Sequence, residues 1–210
     1  MIPILLLTGL LLTAAALSQR QRSRQASQGQ AGVFDYYLLT LSWSPEFCHS
    51  HPDNLECQSG HHGFVVHGLW PQYTDGYPEH CSTAPGLSNP AEMSDIMPDA
   101  GLAAHEWSTH GTCSGLDAES YFKLLRQAFT SIKIPDRFGA ARENFSISPD
   151  EVKSVFVQAN RGVSAGDMTV SCGNNYLTAV SFCLSKDLKP IACKNLRDCR
   201  ANVIRVPRIP

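Results

Sequence analysis

The chain has no CxxC pair, and all eight of its cysteines lie beyond residue 47. Without closely spaced cysteines, a zinc ribbon is disfavoured. An even cysteine count reads instead as disulfides, which need an oxidising space such as a periplasm or the exterior. Eight cysteines allow about 105 pairings, so spacing alone leaves their connectivity open. Positive charge is also scarce. Of 17 basic residues, Arg20, Arg22 and Arg24 precede the first acid, Asp35, which leaves 14 basic against 19 acidic residues, a body near −5. That body lacks the broad basic face of a tight nucleic-acid binder. A polyanion here must be held by a local site, or at a pH where the eight histidines charge.

No apolar run reaches the roughly 20 residues of a membrane span. Residues 2–17 form an uncharged, Leu- and Ala-rich stretch ending at Ala16-Leu17-Ser18, small residues of the kind a signal peptidase accepts. No Lys or Arg precedes it, although a signal peptide ordinarily begins with one. An uncleaved anchor oriented by the three arginines would strand the cysteines in a reducing compartment. A removable signal over residues 1–18 is therefore expected, and with it a secreted or periplasmic protein. Residues 19–31 are Gln, Ser, Arg and Gly with little to bury, and read as a disordered leader. No repeat and no later boundary appears, so residues 32–210 are expected to form one domain.

Hydrophobic patterning places the elements. Tyr37, Leu39, Leu41 and Trp43 alternate with Leu38, Thr40 and Ser42, a strand ended by Pro45. Cys48 and Cys57 bracket a polar loop that a local disulfide would close. A second strand over 64–70 puts Phe64, Val66, Gly68 and Trp70 on one face, Val65, His67 and Leu69 on the other, and stops at Pro71. Residues 72–100 read as mostly loop with a short helix near 90–97. Residues 105–113 fit one or two helical turns stopped by Gly111, with Glu106 and His110 on one face, as are His105 and Thr109. A helix over 117–131 carries the stripe Tyr121, Leu124, Leu125, Ala128 and Phe129. Ser148-Pro149-Asp150-Glu151 is a capping box opening another. Residues 168–172 and 176–184 form a hairpin around Gly173-Asn174-Asn175, and 203–206 a last strand. The fold class that follows is α+β, a single domain with a central antiparallel sheet packed by helices and stapled by disulfides.

Two segments concentrate histidine beside glycine and tryptophan: 64–71, with His67, and 105–113, with His105, Glu106 and His110. A zinc-binding His-Glu-x-x-His helix needs histidines four apart. Here Thr109 stands at that position, and five residues turn the second histidine about 140° away. One histidine near glycine and tryptophan is most simply a half-buried packing residue; a strand histidine plus this helical cluster is harder to read so. The remaining explanation is acid–base chemistry. Cleaving a phosphodiester by its neighbouring hydroxyl needs a base, an acid, and positive charge for the transition state. Two histidines in opposite protonation states supply the first pair near their ordinary value of about 6.5.

The segments Leu39-Thr40-Leu41-Ser42-Trp43-Ser44-Pro45-Glu46-Phe47-Cys48, Val66-His67-Gly68-Leu69-Trp70-Pro71, His105-Glu106-Trp107 and His110-Gly111-Thr112-Cys113 resemble, in order, the ribonuclease T2 family. The resemblance runs over residues 35–199 and implies secreted acid endoribonucleases of α+β fold. They cleave single-stranded RNA through a 2′,3′-cyclic phosphate with no metal or other cofactor. It also implies a monomer whose partner is RNA, with no membrane once the signal is gone. Carried over by position, His67 is the general acid and His110 the general base, His105 binds phosphate and Glu106 assists the transition state. Trp70 lines the base pocket, with Tyr73 and Tyr77 as weaker candidates for the same wall and Thr109 beside the substrate. The implied disulfides are Cys48–Cys57, Cys81–Cys113, Cys172–Cys199 and Cys183–Cys193. Two departures stand out: Thr109 where the family usually has lysine, and Leu102-Ala103-Ala104 where an aromatic often precedes the second segment. The rival from another class is a secreted RNA-binding or toxin-like protein on the same scaffold with weak or lost catalysis. A metallohydrolase is the rival among enzymes.

Overall fold

The structure, a computed structural model, describes residues 26–58, 60 and 62–210, so the expected signal and the first part of the leader lie outside the described residues. The chain runs β1 (Ala26–Gln28), β2 (Tyr36–Trp43), α1 (Ser44–Ser50), α2 (Leu55–Gln58), β3 (Phe64–Gln72), β4 (Tyr77–Glu79) and α3 (Ala100–Thr109). It continues through α4 (Ala118–Thr130), α5 (Asp136–Gly139), β5 (Phe145–Ile147), α6 (Pro149–Ala159), β6 (Met168–Gly173), β7 (Tyr176–Leu184) and β8 (Ile204–Val206). The main sheet has the order β3-β2-β7-β8-β5, with β6 also on β7, and is antiparallel except for one β7–β8 pairing. This is the expected α+β domain.

The core follows from alternation. Leu39, Leu41 and Trp43 of β2 and Val180, Phe182 and Leu184 of β7 share one sheet face, buried with Tyr121, Leu125, Val152 and Phe156 of α4 and α6. The amphipathic stripe of α4 and the Ser148 capping box of α6 are both present, the latter with Ser148 Oγ accepting from Glu151 N at 3.2 Å. The hairpin turns on Asn174 and Asn175, both at positive φ (50° and 63°), as a two-residue turn matched to strand twist demands. All four disulfides pair as the resemblance implied.

Several local expectations are corrected. Pro45 ends β2 but sits in the first turn of α1, where its missing N–H is no loss, so the Cys48–Cys57 segment carries two short helices rather than a polar loop. Pro71 does not end β3; it pairs with Tyr37 on an edge strand, where proline is tolerated. The leader is not featureless, because Ala26–Gln28 pairs in parallel with Tyr77–Glu79. Backbone pairing needs no apolar side chains, which is why composition hid it.

The consequential correction concerns β3. Thr40 pairs with Gly68 but Leu41 pairs with Val66, so His67 is an extra residue, a β-bulge. The bulge shifts the alternation by one. Leu69 joins Phe64 and Val66 in the core, while Trp70, opposite Leu38, moves onto the face that carries His67.

Candidate active site

Helix α3 brings the second segment to this face. Asp99 caps it, its carboxylate accepting from Gly101 N at 2.7 Å, and Asn54 Nδ2 donates to the other oxygen of Asp99 at 3.1 Å. The cap is thereby tied to the small Cys48–Cys57 loop. Ala103, Glu106, Trp107 and Thr109 turn inward, while His105 stays exposed. Trp107 anchors the helix, buried in the core against Tyr121 and donating from Nε1 to the Ala84 carbonyl at 2.9 Å. At the helix end His110 N donates to Glu106 O at 3.0 Å, and Gly111 follows where a Cβ would press on Trp107 and Tyr121. The Cys81–Cys113 disulfide then fastens β4 to the same end, and His80 N donates to Thr109 O at 2.8 Å.

Side chains from both segments meet around Trp70. Its ring lies 5.3 Å from that of His67 and 5.4 Å from that of His110, between the two. The indole N–H donates to Glu106 Oε2 at 2.5 Å, and Glu106 Oε1 lies 3.7 Å from His67 Nε2. Gly68 makes this possible: a Cβ there would overlap both Trp70 Nε1 and Glu106 Oε2. Ser42 Oγ is 3.1 Å from His67 Nδ1, on the far side of the ring from Glu106. From His67 and Trp70 an open groove of about 880 Å³ extends over the hydroxyl-bearing face of the sheet, past Ser42, Thr40, Ser181 and Thr178.

Burial sets the electrostatics. Glu106 is only 1% exposed, and desolvation pushes its carboxyl up to about 7 against the opposing Trp70 hydrogen bond. Desolvation, then the charges of His105, His67 and His80, draws His110 down to about 4. His67 is lowered too, by burial and then by His105. With an acid raised and an imidazole lowered, the His67–Glu106 approach is not a standing ion pair. The Nδ1 of His110 is buried without a hydrogen-bond partner among the described residues. No group of three or more His, Cys, Asp or Glu side chains among the described residues is arranged to hold a metal ion.

The structure therefore brings His67, Glu106, His110 and Trp70 together, with His105 exposed beside them. Tyr77 joins them, its ring 6.3 Å from that of His110. Tyr73 does not: it packs against the main core. Thr109, expected beside substrate, is 6% exposed, and its Oγ1 has no hydrogen-bond partner among the described residues. Three residues after Glu106 and six after Ala103, it shares their inward face rather than the exposed side of His105. Sequence reasoning missed Ser42 and His80. Ser42 carried a signal, since alternation puts it on the solvent face of β2 opposite the core residues. His80 carried little beyond its place next to Cys81.

The sequence model described as the Ribonuclease T2 family matches residues 34–193. A ribonuclease of Aeromonas hydrophila is 34% identical over 166 residues, covering 77% of this chain and 76% of the relative. Ribonuclease I of Escherichia coli is 26% identical over 208 residues, covering 75% and 78%. Among solved structures, an RNase-related protein from Calystegia sepium superposes with a TM-score of 0.69 at 23% identity, covering 84% of this chain and 98% of that one. A variant of ribonuclease MC1 of bitter gourd, in complex with 5′-UMP, gives 0.65 at 22% identity, covering 81% and 97%. At these identities the superpositions speak for the fold alone. The sequence match, however, runs from Phe34 to Cys193, through both histidine segments and the strands between them, and the chain belongs to the ribonuclease T2 family.

Proposed function

We propose that the chain is an endoribonuclease that cleaves single-stranded RNA by transesterification to a 2′,3′-cyclic phosphate, with no metal. The observation that carries this is the meeting of two histidines and a buried carboxyl around one indole. His110, drawn down to about 4, is neutral over most of the pH range and takes the proton of the 2′-hydroxyl. The 2′-oxygen then bonds to phosphorus, the bond to the 5′-oxygen breaks, and His67 gives that oxygen its proton. Ser42, against Nδ1, holds the His67 ring with Nε2 toward the cleft. Glu106, raised to about 7, is a neutral acid at acid pH, so it donates a hydrogen bond to a phosphoryl oxygen without repelling it. His105, when protonated, adds positive charge at the rim. Trp70 and Tyr77 offer aromatic surface for a base, and relatives of this fold bind nucleotides such as 5′-UMP.

Four disulfides support a secreted or periplasmic location. No helix among the described residues is long and apolar enough to cross a membrane. The deciding experiment incubates purified protein with yeast RNA and EDTA and examines the product ends. Cyclic phosphate termini formed with EDTA present are expected. Cleavage abolished by EDTA would transfer the reading to a metallohydrolase, and binding without cleavage to a silenced scaffold. Either His67→Ala or His110→Ala is expected to lower kcat by about 10²–10⁴-fold.

A further inference from the structure

A second cavity, about 500 Å³, opens at the other end of the same sheet face. Its walls carry one arginine–aromatic pair, Arg205 over the ring of Tyr176 at 5.5 Å, and the ring of Phe145, over which Arg137 stands at 4.8 Å from outside the lining. Arg205 also donates to the Tyr176 hydroxyl at 3.3 Å. In a body poor in positive charge, this pairing of guanidinium with aromatic surface is a local concentration of what single-stranded nucleic acid binds: a face for a base and a charge for a phosphate.

The two cavities lie on one sheet face and share a wall. Tyr176 and Thr178 alternate to the same face of β7, and Thr178 lines the groove that reaches His67. Glu46 lines both cavities where they meet. Ser42, which holds His67, pairs with Ala179, three residues from Tyr176. Strand spacing then puts Tyr176 roughly 15–20 Å from His67, within reach of a short oligonucleotide. We infer that Tyr176 and Arg205 form a distal subsite that holds an RNA strand beyond the scissile bond. This rests on the RNA-cleaving reading of the histidine site. Because the subsite lies on the flank of His67, the acid that serves the leaving 5′-oxygen, it takes the strand on the 3′ side of the cleaved bond. Glu46 at the junction does not forbid this path: burial raises its carboxyl above the ordinary value, against the pull of His49 and His51, so acid pH neutralises it readily.

Short DNA strands with one ribonucleotide test the inference, since only that residue supplies a 2′-hydroxyl. In the parent, extending such a strand on the 3′ side is expected to raise kcat/KM by roughly 10-fold over a dinucleotide, the effect of one stacked base. Tyr176→Ala and Arg205→Gln are expected to remove that gain and leave the dinucleotide rate unchanged, whereas Tyr176→Phe keeps it. Arg205→Gln is further expected to lower the salt dependence of binding by about one unit of slope. Variants that retain the gain, or a gain confined to 5′ extension, would overturn the subsite. If the parent cleaves nothing, it is the catalytic reading that fails. Binding of an all-deoxy strand, by fluorescence anisotropy, still decides the subsite: weaker binding in both variants supports it, and unchanged binding rejects it.

Discussion

Trp70 and Glu106 are joined by a hydrogen bond of 2.5 Å that crosses directly over Gly68, so an indole from an edge strand fixes a carboxyl from a helix. Glu106 is thereby held buried yet open, through its other oxygen, toward His67.

Removing the donor tests this coupling. Trp70→Phe leaves a buried carboxyl oxygen without its partner and is expected to lower stability by about 1–3 kcal/mol. It also removes the interaction that opposes desolvation, so the Glu106 pKa is expected to rise above about 7, measurable by carboxyl NMR titration. Gly68→Ala is expected to lower activity, because its methyl group displaces both partners. A Gly68→Ala enzyme with parental rate would show that the contact is dispensable.

The rate should follow a bell in pH, weighted to the acid side. The base must be neutral, so activity rises as pH passes about 4, the value to which His110 is drawn. The acid must be protonated, so activity falls as pH rises through the value for His67, which lies below its ordinary 6.5. Measuring kcat/KM on a defined dinucleotide from pH 3 to 8 gives both limbs. A profile flat from acid to alkaline pH contradicts the assignment.

Glu106 also makes stability depend on pH. Its folded value, about 7, exceeds the unfolded 4.5, so its contribution is fully present below 4.5 and is lost as pH rises through 7. The full shift corresponds to a penalty on the order of 3 kcal/mol at alkaline pH. Glu106→Gln mimics the protonated form and is expected to melt above the parent at pH 8 and level with it at pH 4. Equal melting temperatures at both pH values would mean the carboxyl is not held neutral.

Thr109→Lys restores the charge usual in the family but at a buried position. Two effects are expected together: a melting temperature lowered by the burial of an ammonium stem, and a faster rate with a higher pH optimum if the charge reaches the cleft. An unchanged rate and pH profile would show that the missing lysine does not limit this enzyme.

Much of this was legible in the sequence, for local reasons. Alternation marked β2 and the β6–β7 hairpin, the stripe from Tyr121 to Ala128 marked α4, and Ser148 and Glu151 announced the start of α6. These depend on periodicity and short-range hydrogen bonds, which a linear string records. His67, His105, Glu106 and His110 stood out because acid–base residues beside glycine and tryptophan are conspicuous in any order.

What the string could not record was phase and burial. One extra residue at His67 reverses every later side chain on β3, and that bulge exists only relative to β2, so simple alternation assigns Trp70 to the wrong face. Thr109 likewise looked like a neighbour of exposed His105, and packing turned it inward. The pKa values of Glu106 and His110 are likewise consequences of desolvation. The sequence by itself determined which groups carry protons; tertiary structure decided where each proton rests, because only packing removes the water that would otherwise leave every group at its ordinary value.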